Sequence, residues 1–235
     1  MLGRSRCQEF ANRIRLVCER HQTHRGGAVP NVRTDMTISL DGFICGLAAQ
    51  QPPYLDKGFF RITDWVVQHL AWRERAGIGG GLQDADDALL AEMFEQAGAY
   101  VMGRRMLDSG EEPWGESPPF RAPVFVVTHR EREPLVRKGG TTFHFVTDGL
   151  QAAIERAKAA CGDRHVHISG GAAIVQQAIA QRLVNEMHVH IAPVLLGQGT
   201  RLFDQLPDSM VELDRFRVVD SPAITHLSFR FPTAG

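Results

Sequence analysis

Two consecutive glycines, Gly170 and Gly171, follow the short apolar run at 165–169 and precede Ala172, Ile174 and Val175, which recur at helical spacing. A strand that enters a helix through paired glycines leaves several backbone N–H groups unpaired where no Cβ blocks approach. The positive end of the helix dipole lies there too. Ser169, Gly170, Gly171, Ala172 and Ala173 therefore read as a turn able to hold a pyrophosphate. Glycines that only let the chain turn and pack are the competing explanation. Two further loops bring guanidinium groups. Gly103-Arg104-Arg105 follows an apolar run ending at Met102, and Thr128-His129-Arg130 follows one ending at Val127. Arginine grips phosphate through a bidentate, charge-assisted fork worth about 1.5–3 kcal/mol per bond. Set beside an anion turn, these loops suit a dinucleotide carrying an extra phosphate. Taken singly, each arginine can also be an ordinary solvated charge.

Ser39-Leu40-Asp41-Gly42 closes the first apolar-alternating stretch. A carboxylate there can bind a polar substrate group or relay a proton. Asp-Gly is equally a common turn pair, with Asp present for a local hydrogen bond. Asp64 and Glu111 read as a helix cap and a solvated loop charge. His165/His167 and His188/His190 alternate on strands, so each pair points to one side of its strand. With no carboxylate or cysteine at ligand spacing, packed histidines are expected and no metal site.

The elements that must position these residues follow from periodicity and turn signals. Residues 33–40 read as a strand, 46–57 as a loop, and 62–75 as one helix with Trp65 and Trp72 on a shared face. The glycine-rich 77–81 stretch lacks the Gly-Lys-Ser/Thr ending of a phosphate-binding P-loop and reads as a mobile loop. Asp84 or Asp86 can cap a helix whose stripe is Leu89, Leu90, Met93, Phe94 and Ala97. Strands follow at 99–102, 124–127 and 143–146. Asp148 caps a helix over 149–160, a strand covers 165–169, and a helix covers 172–182. A long strand at 186–196 precedes an antiparallel hairpin at 212–219 and 223–231. This alternation predicts an α/β fold, a mixed, mostly parallel sheet flanked by helices on both faces, with an antiparallel C-terminal hairpin. In such sheets ligands bind outside the carboxyl ends of the strands, which groups the three loops and Asp41 into one site.

At 235 residues the chain suits one domain. Its 26 basic and 27 acidic residues nearly balance, so neither a nucleic acid nor an anionic membrane is expected as partner. No apolar run reaches the length that spans a bilayer. The four scattered cysteines, with no Cys-x-x-Cys pair, read as reduced thiols of a cytoplasmic protein. Residues 1–30 are arginine-rich and are expected to form a poorly packed extension. The domain proper is expected over 31–235, with an insertion at about 48–84.

Five motifs stand in order along the chain: Thr37-Ile-Ser-Leu-Asp-Gly-Phe-Ile44, Tyr100-Val-Met-Gly-Arg-Arg-Met106, Pro123-Val-Phe-Val-Val-Thr-His-Arg130, the Gly170-Gly171 turn, and Ile191-Ala-Pro-Val-Leu-Leu-Gly-Gln-Gly-Thr-Arg-Leu-Phe203. Together they resemble the dihydrofolate-reductase-like superfamily, above all the reductase (C-terminal) domain of the bacterial bifunctional riboflavin-pathway deaminase-reductase and its stand-alone relatives. The resemblance spans roughly 32–231. It implies NADPH as cofactor, with Gly103, Arg104, Arg105, Thr128, His129 and Arg130 around the adenosine and 2′-phosphate. Ser169 to Ala173, with Leu196 and Gly197, would line the rest of the nucleotide. Ser39 and Asp41 would face the nicotinamide and substrate, with Trp65 on the substrate side. The implied activity is hydride transfer to a small heterocyclic (pteridine- or pyrimidine-like) or carbonyl substrate. The alternative is a non-catalytic NADP(H)-binding protein of the same fold, or a dimerisation module with a vacant site. The chain lacks the Pro-Cys-x-x-Cys half of a zinc-deaminase signature, so no deaminase domain is expected and the substrate stays open. The long strand at 186–196 and the C-terminal hairpin place apolar area near a sheet edge, which proteins usually cover, and relatives pair through this region, which implies a homodimer.

Overall fold

The computed structural model describes residues 30–206 and 210–232. The expected N-terminal extension lies outside them. Alternation in Val-Arg-Thr-Asp-Met-Thr-Ile-Ser makes β1 (Val32–Ser39), which buries Val32, Met36 and Ile38 on one face. In chain order there follow β2 (Phe43–Cys45), β3 (Ala97–Gly103), β4 (Pro123–Val127), β5 (Leu135–Val136), β6 (Thr142–Val146), β7 (His165–Gly170), β8 (Glu186–Ala192), β9 (Thr200–Arg201), β10 (Asp214–Asp220) and β11 (Thr225–Arg230). Nine of these form one sheet in the order β10-β11-β8-β1-β7-β3-β4-β6-β5, while β2 and β9 pair separately. The six strands from β8 to β6 run parallel, and β5, β10 and β11 run antiparallel to their neighbours. The mixed sheet and its C-terminal hairpin are as expected.

Six helices cover it: α1 (Lys57–Gln68), α2 (Leu70–Arg75), α3 (Ala85–Gln96), α4 (Arg104–Trp114), α5 (Leu150–Ala160) and α6 (Ala172–Ala180). On one face, Ile154 and Ala157 of α5 and Val175 and Ala178 of α6 close over Met36, Ile38, Val101, Val166 and Ile168. On the other, Leu107 and Trp114 of α4 pack with Met102, Val124 and Phe143. Trp65 of α1 meets Leu89 and Leu90 of α3 and Ile224 beside them.

Between those clusters the second face is polar. Asp35 of β1 lies between His167 of β7, 3.4 Å from its Oδ2, and His190 of β8, 3.7 Å from its Oδ1. The two histidine pairs, which nothing in the sequence brings together, converge because β7 and β8 are the two neighbours of β1. Burial opposes charge on Asp35, but His188, His167 and His190 outweigh it and hold the carboxyl well below the usual range. Burial likewise pushes His167 and His188 down, and takes His165 and His226 to about 4. A cavity of about 30 Å³ remains among Arg33, Asp35, His165, His167, His188 and Gln96. It has room for a bridging water.

Four expectations change. The single helix over 62–75 breaks at His69, which is extended (φ −90°, ψ 148°) because the returning chain pairs there. Leu82 N–H donates to the Gln68 carbonyl, and Leu70 N–H donates to that of Leu82. The long strand stops at Ala192, before Pro193, and the Leu40 amide bonds instead to the Val194 carbonyl. Asp148 does not cap α5, which starts at Gly149 without a side-chain cap; Asp148 pairs with Arg156. Finally, β8 is interior and β10 forms the edge, bearing Asp214, Arg215, Arg217 and Asp220 and a register shift between Arg215 and Arg217. Charges and irregular pairing protect a sheet edge. The apolar-edge argument for a homodimer therefore does not hold in that form.

His165, His167, His188 and His226 make stability pH-dependent. Each is neutral in the fold but takes up a proton in the unfolded chain below its ordinary pKa, so unfolding binds protons and stability falls on acidification. Urea midpoints should be highest above pH 7 and fall between about pH 6.5 and 4, with about 1–2 kcal/mol lost at pH 5 from His226 alone. A midpoint that holds constant from pH 7.5 to 5 would contradict neutral, buried histidines.

Candidate functional site

Because β1, β7, β3 and β4 are adjacent and parallel, their carboxyl ends fall side by side along one edge of the sheet. Gly103 pairs in register with Val127, and Met102 with Gly170. The loops at 103–105, 128–130 and 169–173 therefore leave the sheet from neighbouring positions, as the sequence expected. The Gly170–Gly171 peptide is cis. Gly170 has φ 108° and requires glycine, whereas Gly171, the N-cap of α6, has φ −73°. A Cβ at Gly171 would meet nothing within 4 Å, so the approach to the α6 N-terminus is open. At Gly103 a Cβ would lie 2.9 Å from Cγ1 of Ile174, so this glycine lets the β3–α4 turn close onto α6.

The cationic side chains are unequal. Arg104 donates to Asp108 at 2.7 Å, one helical turn away. Arg105 and Arg130 are exposed, and neither forms an ion pair among the described residues. The Arg105 guanidinium lies 5.9 Å from the Tyr54 ring centre. Thr128 is buried and its hydroxyl accepts from the Arg130 amide at 3.1 Å, while His129 is exposed. Ser169 and Gly171 are half-buried and Ala173 is exposed beside them.

Asp41 is a clamp. Its Oδ1 accepts from the Ser39 hydroxyl at 2.6 Å and the Leu196 amide at 3.1 Å, and its Oδ2 accepts from the Gly197 amide at 2.7 Å. Arg201 donates to the Asp41 carbonyl at 2.8 Å and lies over the Phe43 ring. The Ser39 hydroxyl, opposed by desolvation and helped by the Gly197 and Leu196 amides, brings the Asp41 pKa down to about 2. The carboxylate is thus ionised at neutral pH and carries no proton to give. Leu196 and Gly197 come to the end of β1 through this clamp. Arg201 was missed as its partner, although it sits inside the last quoted motif.

Two residues expected on the substrate side spend their polar atoms inside the protein. Ser39 is fully buried, donating to Asp41 and accepting from the Phe43 amide at 3.0 Å. Trp65 is buried, its indole N–H donates to the Thr37 hydroxyl at 3.1 Å, and its rings pack on His190 and His226. Asp64 is no cap but accepts from Gln68 in mid-helix; Asp56 caps α1 instead, accepting from the Phe59 amide at 2.8 Å. Glu111 lies in α4, held by two hydrogen bonds from Arg132. A cavity of about 50 Å³ opens at the carboxyl end of β8, lined by Arg61, Asp64, Trp65, Gln68, Ala192 and Ile224.

The model of the RibD C-terminal domain family matches residues 30–225. The chain belongs to this family. Membership supports a reductase-like function and covers almost all the residues described. The chain is 25% identical over 170 residues to the uncharacterized protein YyaP of Bacillus subtilis (strain 168), covering 72% of this chain and 78% of that one. Among solved structures, a putative riboflavin biosynthesis protein from Shewanella sp. PV-4 superposes with a TM-score of 0.60 at 21% identity, covering 86% of this chain and 99% of that one. The riboflavin biosynthesis reductase Rib7 of Saccharomyces cerevisiae gives 0.53 at 16% identity, covering 90% and 93%. At such identities these likenesses establish the dihydrofolate-reductase-like fold. Among the described residues no helix is long and apolar enough to cross a membrane.

Replacing Asp41 by Ala should free the 193–199 segment. Amide exchange at Leu196 and Gly197 should accelerate by roughly tenfold or more while the core amides of β1 and β7 stay protected. Unchanged exchange at both amides would show that the clamp does not hold the loop.

Proposed function

We propose that the chain is an NADPH-dependent reductase that delivers a hydride to a small heterocyclic, pteridine- or pyrimidine-like, or carbonyl substrate. The observation that carries this reading is the placement of the glycine turn and the two arginine-bearing loops on three adjacent parallel strands. The residues fit the cofactor. The space at Gly171 is open, and Arg105 and Arg130 have no ion-pair partner among the described residues. A bound nicotinamide dinucleotide would supply the hydride.

Around it, the first-turn amides of α6 would face the pyrophosphate, and Arg105 and Arg130 the 2′-phosphate. Arg104, already paired with Asp108, would contribute less. Leu196 and Gly197, fixed by Asp41, would form the wall beyond β1. Asp41 then acts as a positioning residue rather than a proton donor. On the substrate side, Arg61 and Asp64 at the end of β8 offer charge to a polar, flat molecule. The names of the Shewanella and yeast proteins, both tied to riboflavin biosynthesis, favour a nitrogen heterocycle over a simple carbonyl.

Calorimetry should find NADPH bound at least roughly tenfold more tightly than NADH, since one charge-assisted contact already exceeds ~1.4 kcal/mol. Equal dissociation constants would overturn the 2′-phosphate assignment. Gly171→Val, which adds a side chain in open space at ordinary φ, should abolish NADPH binding and leave the circular dichroism unchanged. Oxidation of NADPH across a panel of pteridines and aminopyrimidines then separates a reductase from a protein that only binds the cofactor.

A further inference from the structure

The break between α1 and α2 places His69 where no part of the nucleotide site uses it. The ring is almost fully buried, and its Nδ1–H donates to the Trp65 carbonyl. A carbonyl only accepts, so Nδ1 bears a proton and Nε2 is the ring atom left to face the acidic residues. That Nε2 is buried and has no hydrogen-bond partner. Asp84 Oδ1 nevertheless lies 3.0 Å away. Asp86, equally buried, brings a third donor, and the three ligand atoms lie within 4.8 Å of one another.

A buried ring nitrogen without a hydrogen bond, set among carboxylate oxygens, is left unsatisfied unless a cation sits between them. Cis ligands bonded at about 2.1 Å to one ion stand about 3 Å apart, which is the spacing found here. The supporting contacts also resemble those of metal ligands. The Trp65 carbonyl orients His69. Asp86 accepts from His226 at 3.0 Å and from the Ser221 hydroxyl at 2.8 Å. Asp84 caps α3 through the same Oδ1 that lies beside His69; that oxygen accepts from the Asp86 and Asp87 amides, and Oδ2 of Asp84 has no hydrogen bond among the described residues.

We propose that His69, Asp84 and Asp86 form a binding site for a divalent transition-metal ion, with solvent completing the shell on the Asp84 side. One imidazole with two carboxylates suits zinc or manganese and disfavours calcium and magnesium, which prefer all-oxygen shells. The ion would tie the α1–α2 break to the start of α3 and, through Ser221 and His226, to the C-terminal hairpin. This proposal is independent of the reductase reading.

The test is calorimetric titration of zinc chloride into full-length, tag-free protein stripped with chelator. One ion per chain should bind, and added zinc should raise the melting temperature. His69→Gln and Asp84→Asn should each weaken zinc binding by roughly tenfold or more. Asn preserves the α3 cap, so the Asp84 variant keeps its fold. His188→Gln, in the separate Asp35 cluster, should leave zinc affinity unchanged. No saturable binding by the wild-type chain, or binding that survives both ligand substitutions, overturns the site.

Discussion

A carboxylate in the middle of a sheet, on a face that helices cover, can be kept only if its neighbours compensate it. Asp35 is such a group, and much of the architecture follows from it. Three imidazoles on the two strands that flank β1 surround it with polar atoms, so strand order and the polarity of this face are one requirement. The neighbouring imidazoles of His190 and His226 then supply the surface on which Trp65 packs, which seats α1. From His226 the polar network passes to Asp86 and so to the first turn of α3. The side of the sheet that would ordinarily be a plain apolar core is instead a run of polar groups reaching from β1 through β7, β8 and β11 to α3.

The opposite face and the carboxyl edge obey simpler rules. There α5 and α6 bury continuous apolar rows, and the absence of side chains at two turns sets how closely loops approach. Gly103 allows its turn to rest against Ile174, and Gly170 adopts a backbone that other residues resist. The two turns are fixed relative to each other by packing, so an anion held at one would find the guanidinium groups of the next already at hand. Asp41 performs the corresponding task at β1, recruiting a loop from 155 residues further along the chain.

What could be read in advance divides along the same line. The strands and the glycine-marked turns were legible because period-two burial and turn chemistry are local properties. From them the parallel sheet, the grouping of loops at its edge and the family resemblance followed. The break at His69 was not legible, since nothing in Trp-Val-Val-Gln-His-Leu forbids a helix; the pairing with Leu82 imposes it. Nor was the convergence of the histidines, which depends on β7 and β8 both choosing β1. The family resemblance implied a substrate role for Trp65 and Ser39, but it could not reveal that hydrogen bonds to Thr37 and Asp41 take up their polar atoms. Asp86, weighed only as a helix cap, became a partner of His226 through a contact 140 residues distant.

The position of β1 has a consequence for how the molecule is made. Its partners on both sides come from far downstream: Val32 pairs with Val166, and Arg33 with Glu186. The strand β1 is therefore the keystone of the sheet, and both of its pairings wait for chain made long after it. Until about residue 190 has emerged, Asp35 has at most one of its two flanking strands. The strands β3, β4 and β6, whose pairings span shorter loops, can meanwhile assemble with α4 and α5 as a nascent half-domain. The pairing of β8 with β1 then completes the surroundings of Asp35 and leaves only the C-terminal hairpin to add to the sheet.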